Sequence, residues 1–144
     1  MITAYLDGSA LLRIVLDQPE TLSEWNSLDL GVTSELARVE CYRTLERLWR
    51  ADQLTNERLE LLRTRVELML RNLVLTSINR EVIALASQPF GAWVATLDAI
   101  HLATAIIYRR RQPEDERPIV FATHDRQLAK AAAAMQFDVI GVVA

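Results

Sequence analysis

The sequence predicts an α/β protein with a mostly parallel central sheet covered by helices on both faces. Two observations carry that prediction. Short apolar runs alternate along the chain with longer segments of helical periodicity, the pattern of repeated strand–helix–strand units. Two of those runs, Ile2–Leu6 and Ile119–Ala122, read as buried strands, and parallel strands are buried on both faces. The length of 144 residues suits a single domain, residues 1–144, with one proper hydrophobic core.

In chain order, the Ile2–Leu6 strand stops at Asp7, and a helix begins at Gly8-Ser9 and runs through Ala10-Leu11-Leu12-Arg13-Ile14-Val15-Leu16. Pro19 fits the first turn of a short second helix over Glu20 to Leu28. Leu30 to Thr33 is a weaker strand. Ser34 caps a long helix from Glu35 to about Arg50, on which Ala37, Cys41, Leu45 and Leu48 form one apolar stripe. Thr55 caps the next helix, to about Arg71; its stripe of Leu59, Leu62, Val66 and Met69 is a core or dimer surface.

Leu73–Ile78 reads as a strand, Arg80–Ser87 as a short helix ended by Pro89, and Phe90-Gly91-Ala92-Trp93 as a loop in which Trp93 packs, with stacking on RNA as the weaker reading. The stretch opening Thr96-Leu97-Asp98 starts a helix that is apolar almost throughout to Tyr108 and ends in Arg109-Arg110-Arg111. Thr96 is its expected N-cap. Gln112–Pro118 is a charged, proline-bracketed surface loop. A helix runs from Thr123-His124-Asp125 through Leu128, Ala131, Ala132 and Met135, and Phe137–Val143 supplies a last strand.

Composition excludes several classes. No apolar run reaches transmembrane length, and the N-terminus lacks a basic region ahead of its short apolar run, which argues against a secretory signal. The single Cys41 excludes an internal disulfide and any multi-cysteine zinc site. A cytoplasmic protein is expected. The net charge of −3 makes no global case for nucleic acid. Of the 16 basic residues only Lys130 is lysine; arginine suits bidentate phosphate contacts, and genomic codon bias accounts for the same excess.

Four acids stand where chemistry is placed in such folds. Asp7 and Asp125 follow apolar strands, and the C-terminal ends of parallel strands share one edge. Glu40 and Asp98 lie in the N-terminal halves of helices that begin near that edge. Each has an ordinary reading: Asp7 and Asp98 as helix-start residues, Glu40 as the partner of Arg43 and Arg47 on a helix surface. Together they form a set that repels itself unless a cation neutralises it. Oxygen donors with no histidine or cysteine cluster select a hard ion, Mg²⁺ or Mn²⁺. The chemistry this suits is metal-assisted hydrolysis of a phosphodiester.

Tyr5-Leu6-Asp7-Gly8-Ser9-Ala10-Leu11, Glu35–Glu40, Thr96-Leu97-Asp98-Ala99-Ile100-His101-Leu102-Ala103-Thr104-Ala105 and Thr123-His124-Asp125-Arg126-Gln127-Leu128-Ala129 resemble the PIN domain, and among PIN domains the VapC-type ribonuclease toxins. The resemblance spans the whole chain in order. It implies a PIN-like α/β/α sandwich, usually a homodimer, with Mg²⁺- or Mn²⁺-dependent endoribonuclease activity on tRNA or other structured RNA. It also implies a cognate VapB-type antitoxin whose C-terminal segment enters the cleft. By position, Asp7, Glu40 and Asp98 resemble the family's metal-holding acids, Asp125 its more variable fourth acid, and Ser9 and Thr123 its supporting hydroxyls. Gly8 departs from the Thr or Ser more usual in the family, which implies a looser phosphate end. His101 and His124 invite a general-base role; a helix-packed His101 reads as structural.

Arg13, Arg43, Arg47 and Arg126 are candidates for phosphate contacts at the cleft rim, with solvated surface as the other reading. Two other enzyme classes fit less well. A haloacid-dehalogenase-like phosphatase wants a second Asp two residues after Asp7, where Ser9 stands. A phosphoacceptor receiver wants an acidic pair and a lysine near a strand end, whereas Lys130 lies mid-helix. A catalytically silent PIN-like module acting through a protein partner is the remaining alternative.

Overall fold

Among residues 2–114 and 118–142, which the computed structural model describes, five strands form one wholly parallel sheet. They are β1 (Thr3–Leu6), β2 (Leu30–Ser34), β3 (Val74–Thr76), β4 (Val120–Ala122) and β5 (Val139–Ile140), in the spatial order β3-β2-β1-β4-β5. β1 is central and buried along its whole length. Its register pairs Tyr5 with Val32 on one side and with Phe121 on the other. The chain leaves β1 in one direction for β2 and β3, then crosses back to β4 and β5. The strand order therefore reverses between β1 and β4, and open α/β sheets put their clefts beyond the strand ends at such a point.

Helices α1 (Gly8–Val15), α2 (Glu35–Arg50) and α3 (Asn56–Arg71) cover one face. Leu6 of β1 joins Leu11, Cys41, Leu45, Leu62 and Val66 in the core there. Helices α5 (Thr96–Arg110) and α6 (Arg126–Ala134) cover the other face, where Tyr5, Val32 and Phe121 pack against Leu102, Ile106, Leu128 and Phe137. Adjacent residues of a strand point to opposite faces, so Tyr5 and Leu6 serve different cores. The remaining helix, α4 (Arg80–Ala86), packs on α5 through Val82, Ala103 and Ile107. Each fully buried Leu or Phe stabilises the fold by about 1.5–3 kcal/mol, and both layers contribute several.

The predicted caps of α2 and α3 are present: Ser34 accepts from the Leu36 amide and Thr55 from that of Arg58. Thr96 is not a cap. The extended residue before α5 is Ala95, which makes no side-chain cap bond, and Thr96 is the first helical residue. The helix predicted over Glu20–Leu28 is absent; only a 3₁₀ turn at Trp25–Ser27 forms. Asp17 and Glu20 both take positive φ, 53° and 60°, which no right-handed helix tolerates, and buried Leu22 pins the segment to the α1 side. Trp93 does not pack: it is 74% exposed.

The last strand is shorter than predicted because Gly141, at φ 99°, turns the chain away after Ile140; Val143 lies outside the described residues. Of the predicted 112–118 loop, Asp115, Glu116 and Arg117 also lie outside them. No helix among the described residues is long and apolar enough to cross a membrane.

Candidate functional site

The Leu6↔Ala122 pairing of β1 and β4 sets two chain turns side by side, and the Asp7 amide donates to the Ala122 carbonyl at 3.2 Å. Asp7 is the N-cap of α1, its Oδ1 accepting from the Ala10 amide at 3.0 Å. The Ser9 hydroxyl donates to the same carboxylate, and Thr123 donates to Oδ2 at 2.6 Å. Thr123 Oγ1 in turn accepts from the Asp125 amide, and Ser9 Oγ from that of His124. Two hydroxyls thus tie the β1 and β4 turns together around one buried carboxylate. Burial pushes the Asp7 carboxyl up from its ordinary value, while the Thr123, Ala10 and Ser9 hydrogen bonds pull it down.

Asp125 caps α6, its Oδ1 accepting from the Gln127 and Leu128 amides at 2.8 and 3.0 Å. Asp98 sits half-buried in the first turn of α5. Its carboxyl is pushed up to about 6, first by desolvation and then by the negative charges of Asp125 and Asp7. Glu40 on α2 does not pair with Arg43 or Arg47. It reaches across the cleft to α5, where Glu40 Oε1 lies 2.5 Å from His101 Nε2. His101 is fully buried, and its Nδ1 lies 2.7 Å from the Tyr5 hydroxyl.

These acids line one cavity of about 420 Å³, whose wall also includes Gly8, Ser9 and Arg43 and the apolar side chains Leu12, Leu36, Val39 and Leu97. All four predicted acids are brought together there. A larger concavity, about 660 Å³, lies at the α2–α3 turn around Trp49, Arg50 and Asn56, where Asp52 is its only acid and no acids converge. Of the four candidate arginines only Arg43 lines the acidic cavity, and it forms an ion pair with Glu46. Arg13 is turned to Glu20, donating to its carbonyl at 3.3 Å; Arg47 and Arg126 are exposed outside the cavity wall. His124 is also turned away, its Nδ1 donating to the Gly141 carbonyl at 2.7 Å.

Sequence reasoning left out Tyr5 and the contact that Gly8 makes room for. Tyr5 meets His101 across 96 positions, a separation that carries no local signal. At Gly8 a Cβ would lie 2.8 Å from Glu40 Oε1 and 3.0 Å from Oε2. The absent side chain is the space that the Glu40 carboxylate occupies.

The donor chemistry of the cavity suits a hard divalent cation. All four donors are carboxylates, and the upward push on Asp98 by Asp125 and Asp7 is a repulsion that a cation relieves. Among the described residues, however, no group of three or more His, Cys, Asp or Glu side chains is already arranged as a metal cage. Glu40 is turned to His101, and both Asp7 oxygens are taken up by Ser9, Ala10 and Thr123.

The model of the PIN domain family matches residues 4–134. Over 140 residues the chain is 30% identical to "Ribonuclease VapC47" of Mycobacterium tuberculosis, with 92% of each protein covered. Its fold is similar to three solved structures: a toxin–antitoxin complex from Klebsiella pneumoniae (TM-score 0.62, 16% identity, 99% of this chain and 97% of that one); VapBC2 from Rickettsia felis bound to a promoter DNA fragment (0.66, 10%, 96% and 97%); and FitAcB from Neisseria gonorrhoeae (0.67, 19%, 96% and 96%).

Proposed function

The chain belongs to the PIN-domain family and is related to the VapC-type toxins of toxin–antitoxin systems; from that premise we propose that it is a divalent-metal-dependent endoribonuclease, the toxin of such a pair. The observation that carries this reading is the meeting of Asp7, Glu40, Asp98 and Asp125 in one cavity at the β1–β4 strand ends. The ribonuclease name of a relative 30% identical over nearly the whole chain supports it. We assign all four acids to Mg²⁺ or Mn²⁺. When bound there, the cation lowers the pKa of water and stabilises charge on a phosphoryl oxygen.

The chain's own residues have distinct parts in this proposal. Ser9 and Thr123 hold Asp7 at the mouth of β1 by donating to it. Asp125 is fixed by the first amides of α6. Asp98, with a pKa of about 6, is mostly ionised at neutral pH and available to a cation. We assign Arg43, which lines the cavity, to a phosphate of the RNA; Arg13, Arg47 and Arg126 lie outside the wall and meet the substrate only at its periphery. The proposed partners are a VapB-type antitoxin, a second copy of the chain, and tRNA or another structured RNA.

Cleavage of total RNA in the presence of Mn²⁺, lost in both Asp7→Asn and Asp98→Asn while the fold is retained, is the expected result. Wild-type protein as inert as the two variants would refute the enzyme. The turning of Glu40 to His101 and the engagement of both Asp7 oxygens by Ser9, Ala10 and Thr123 favour one other reading, the silent module acting through a partner. That reading predicts no Mn²⁺-linked rise in thermal stability, whereas the nuclease predicts a rise that disappears in Asp98→Asn.

A further inference from the structure

Glu40 is held differently from the capping acids of the cavity. Asp7 and Asp125 accept from helix-start amides, but Glu40 comes from the second turn of α2 and is fixed from across the cleft. Its Oε1 meets His101 Nε2 at 2.5 Å, and His101 Nδ1 meets the Tyr5 hydroxyl at 2.7 Å. An ionised carboxylate only accepts, so Nε2 must carry a proton; in the neutral ring Nδ1 is then an acceptor, and the Tyr5 O–H donates to it. Tyr5, in the wholly buried β1, therefore selects the tautomer that donates to Glu40. On its other side the carboxylate rests over Gly8, in space that any side chain would fill.

We infer that His101 is a positioning residue: with Tyr5 behind it, it holds one oxygen of Glu40 over Gly8 and leaves the other, Oε2, for the cation. This rests on the proposed metal site and adds to it the device that orients its third acid. Carboxylate ligands commonly depend on such outer hydrogen bonds, and their loss costs about 10–100-fold in metal affinity.

The test is Mn²⁺ binding to the full chain by calorimetry at fixed pH. His101→Leu should weaken binding about tenfold, within that range. His101→Gln, whose amide can donate from nearly the same place, should restore most of it. In a Glu40→Gln background His101→Leu should cost nothing more, because the oxygen it positions is no longer a charged ligand. Tyr5→Phe should move affinity in the same direction by several-fold, and it carries the test if His101→Leu does not fold. Wild-type affinity in Tyr5→Phe, or losses from His101→Leu and Glu40→Gln that multiply, would overturn the positioning role while leaving the metal site standing. No Mn²⁺ binding by the wild type, or undiminished binding by Glu40→Gln, would instead overturn the assignment of Glu40 and the inference with it.

Discussion

Replacing Asp98 by Asn should make the metal-free protein more stable at neutral pH. The Asp98 carboxyl is raised from 3.8 to about 6 by burial and by its acidic neighbours, so the folded state binds its proton more tightly than the unfolded chain does. Its contribution is fully present below pH 4 and is lost as pH rises through about 6. Just over two pKa units correspond to about 3 kcal/mol. Asp98 is half-buried, so solvent screening discounts this to roughly 1.5 kcal/mol. Asparagine cannot ionise and escapes the loss. For a chain of this size that is roughly 5 °C in melting temperature. Thermal unfolding in the presence of a chelator, from pH 4 to pH 8, should show the two proteins together at pH 4 and separating by pH 7. A variant no more stable than wild type at pH 7.5, or a gap already present at pH 4, would refute the electrostatic reasoning.

Thr123→Val removes a buried hydroxyl that donates to Asp7 and accepts from the Asp125 amide; chemical denaturation should show a loss of about 1–3 kcal/mol. Gly8→Ala should weaken stability and metal binding together. The added Cβ meets the Glu40 carboxylate, which can move only by giving up its bond to buried His101; the unpartnered Nε2 costs about 1–3 kcal/mol, against a gain of up to about 1 kcal/mol from lower unfolded-state entropy. Denaturation should therefore show a modest loss of stability and calorimetry weaker Mn²⁺ binding; wild-type values for both would refute the crowding of Glu40 by a side chain at position 8. Arg43→Ala should weaken RNA binding and reduce the slope of log affinity against log salt by about one; an unchanged slope would return Arg43 to its ion pair with Glu46.

What could be read in advance was local. Asp7 after β1, Ser34 before α2 and Thr55 before α3 are side chains whose hydrogen bonds close within three residues, so the linear pattern contains them. The parallel sheet followed from strand–helix alternation, and the acids met because strand ends and the helix starts that follow them share an edge. Elements set by distant partners were not legible. Asp17 and Glu20 adopt positive φ without the glycine that usually marks it, so the Glu20–Leu28 segment resembled a helix. Thr96 has the chemistry of a cap, yet the backbone enters α5 at Ala95. Trp93 is apolar, which predicts a packed residue, but it stands exposed ahead of α5 with its carbonyl accepting from Gln127 of α6. The direction of Glu40 was hidden for the same reason: its partner His101 is 61 positions away.

Crystals soaked with Mn²⁺ and measured at a wavelength where manganese scatters anomalously would locate the cation directly. A peak inside the β1–β4 cavity, bonded to oxygens of Asp7 and Asp98 and reached by Glu40 or Asp125, is the predicted result. An empty cavity at saturating Mn²⁺, or a peak held only by residues elsewhere on the surface, would contradict it.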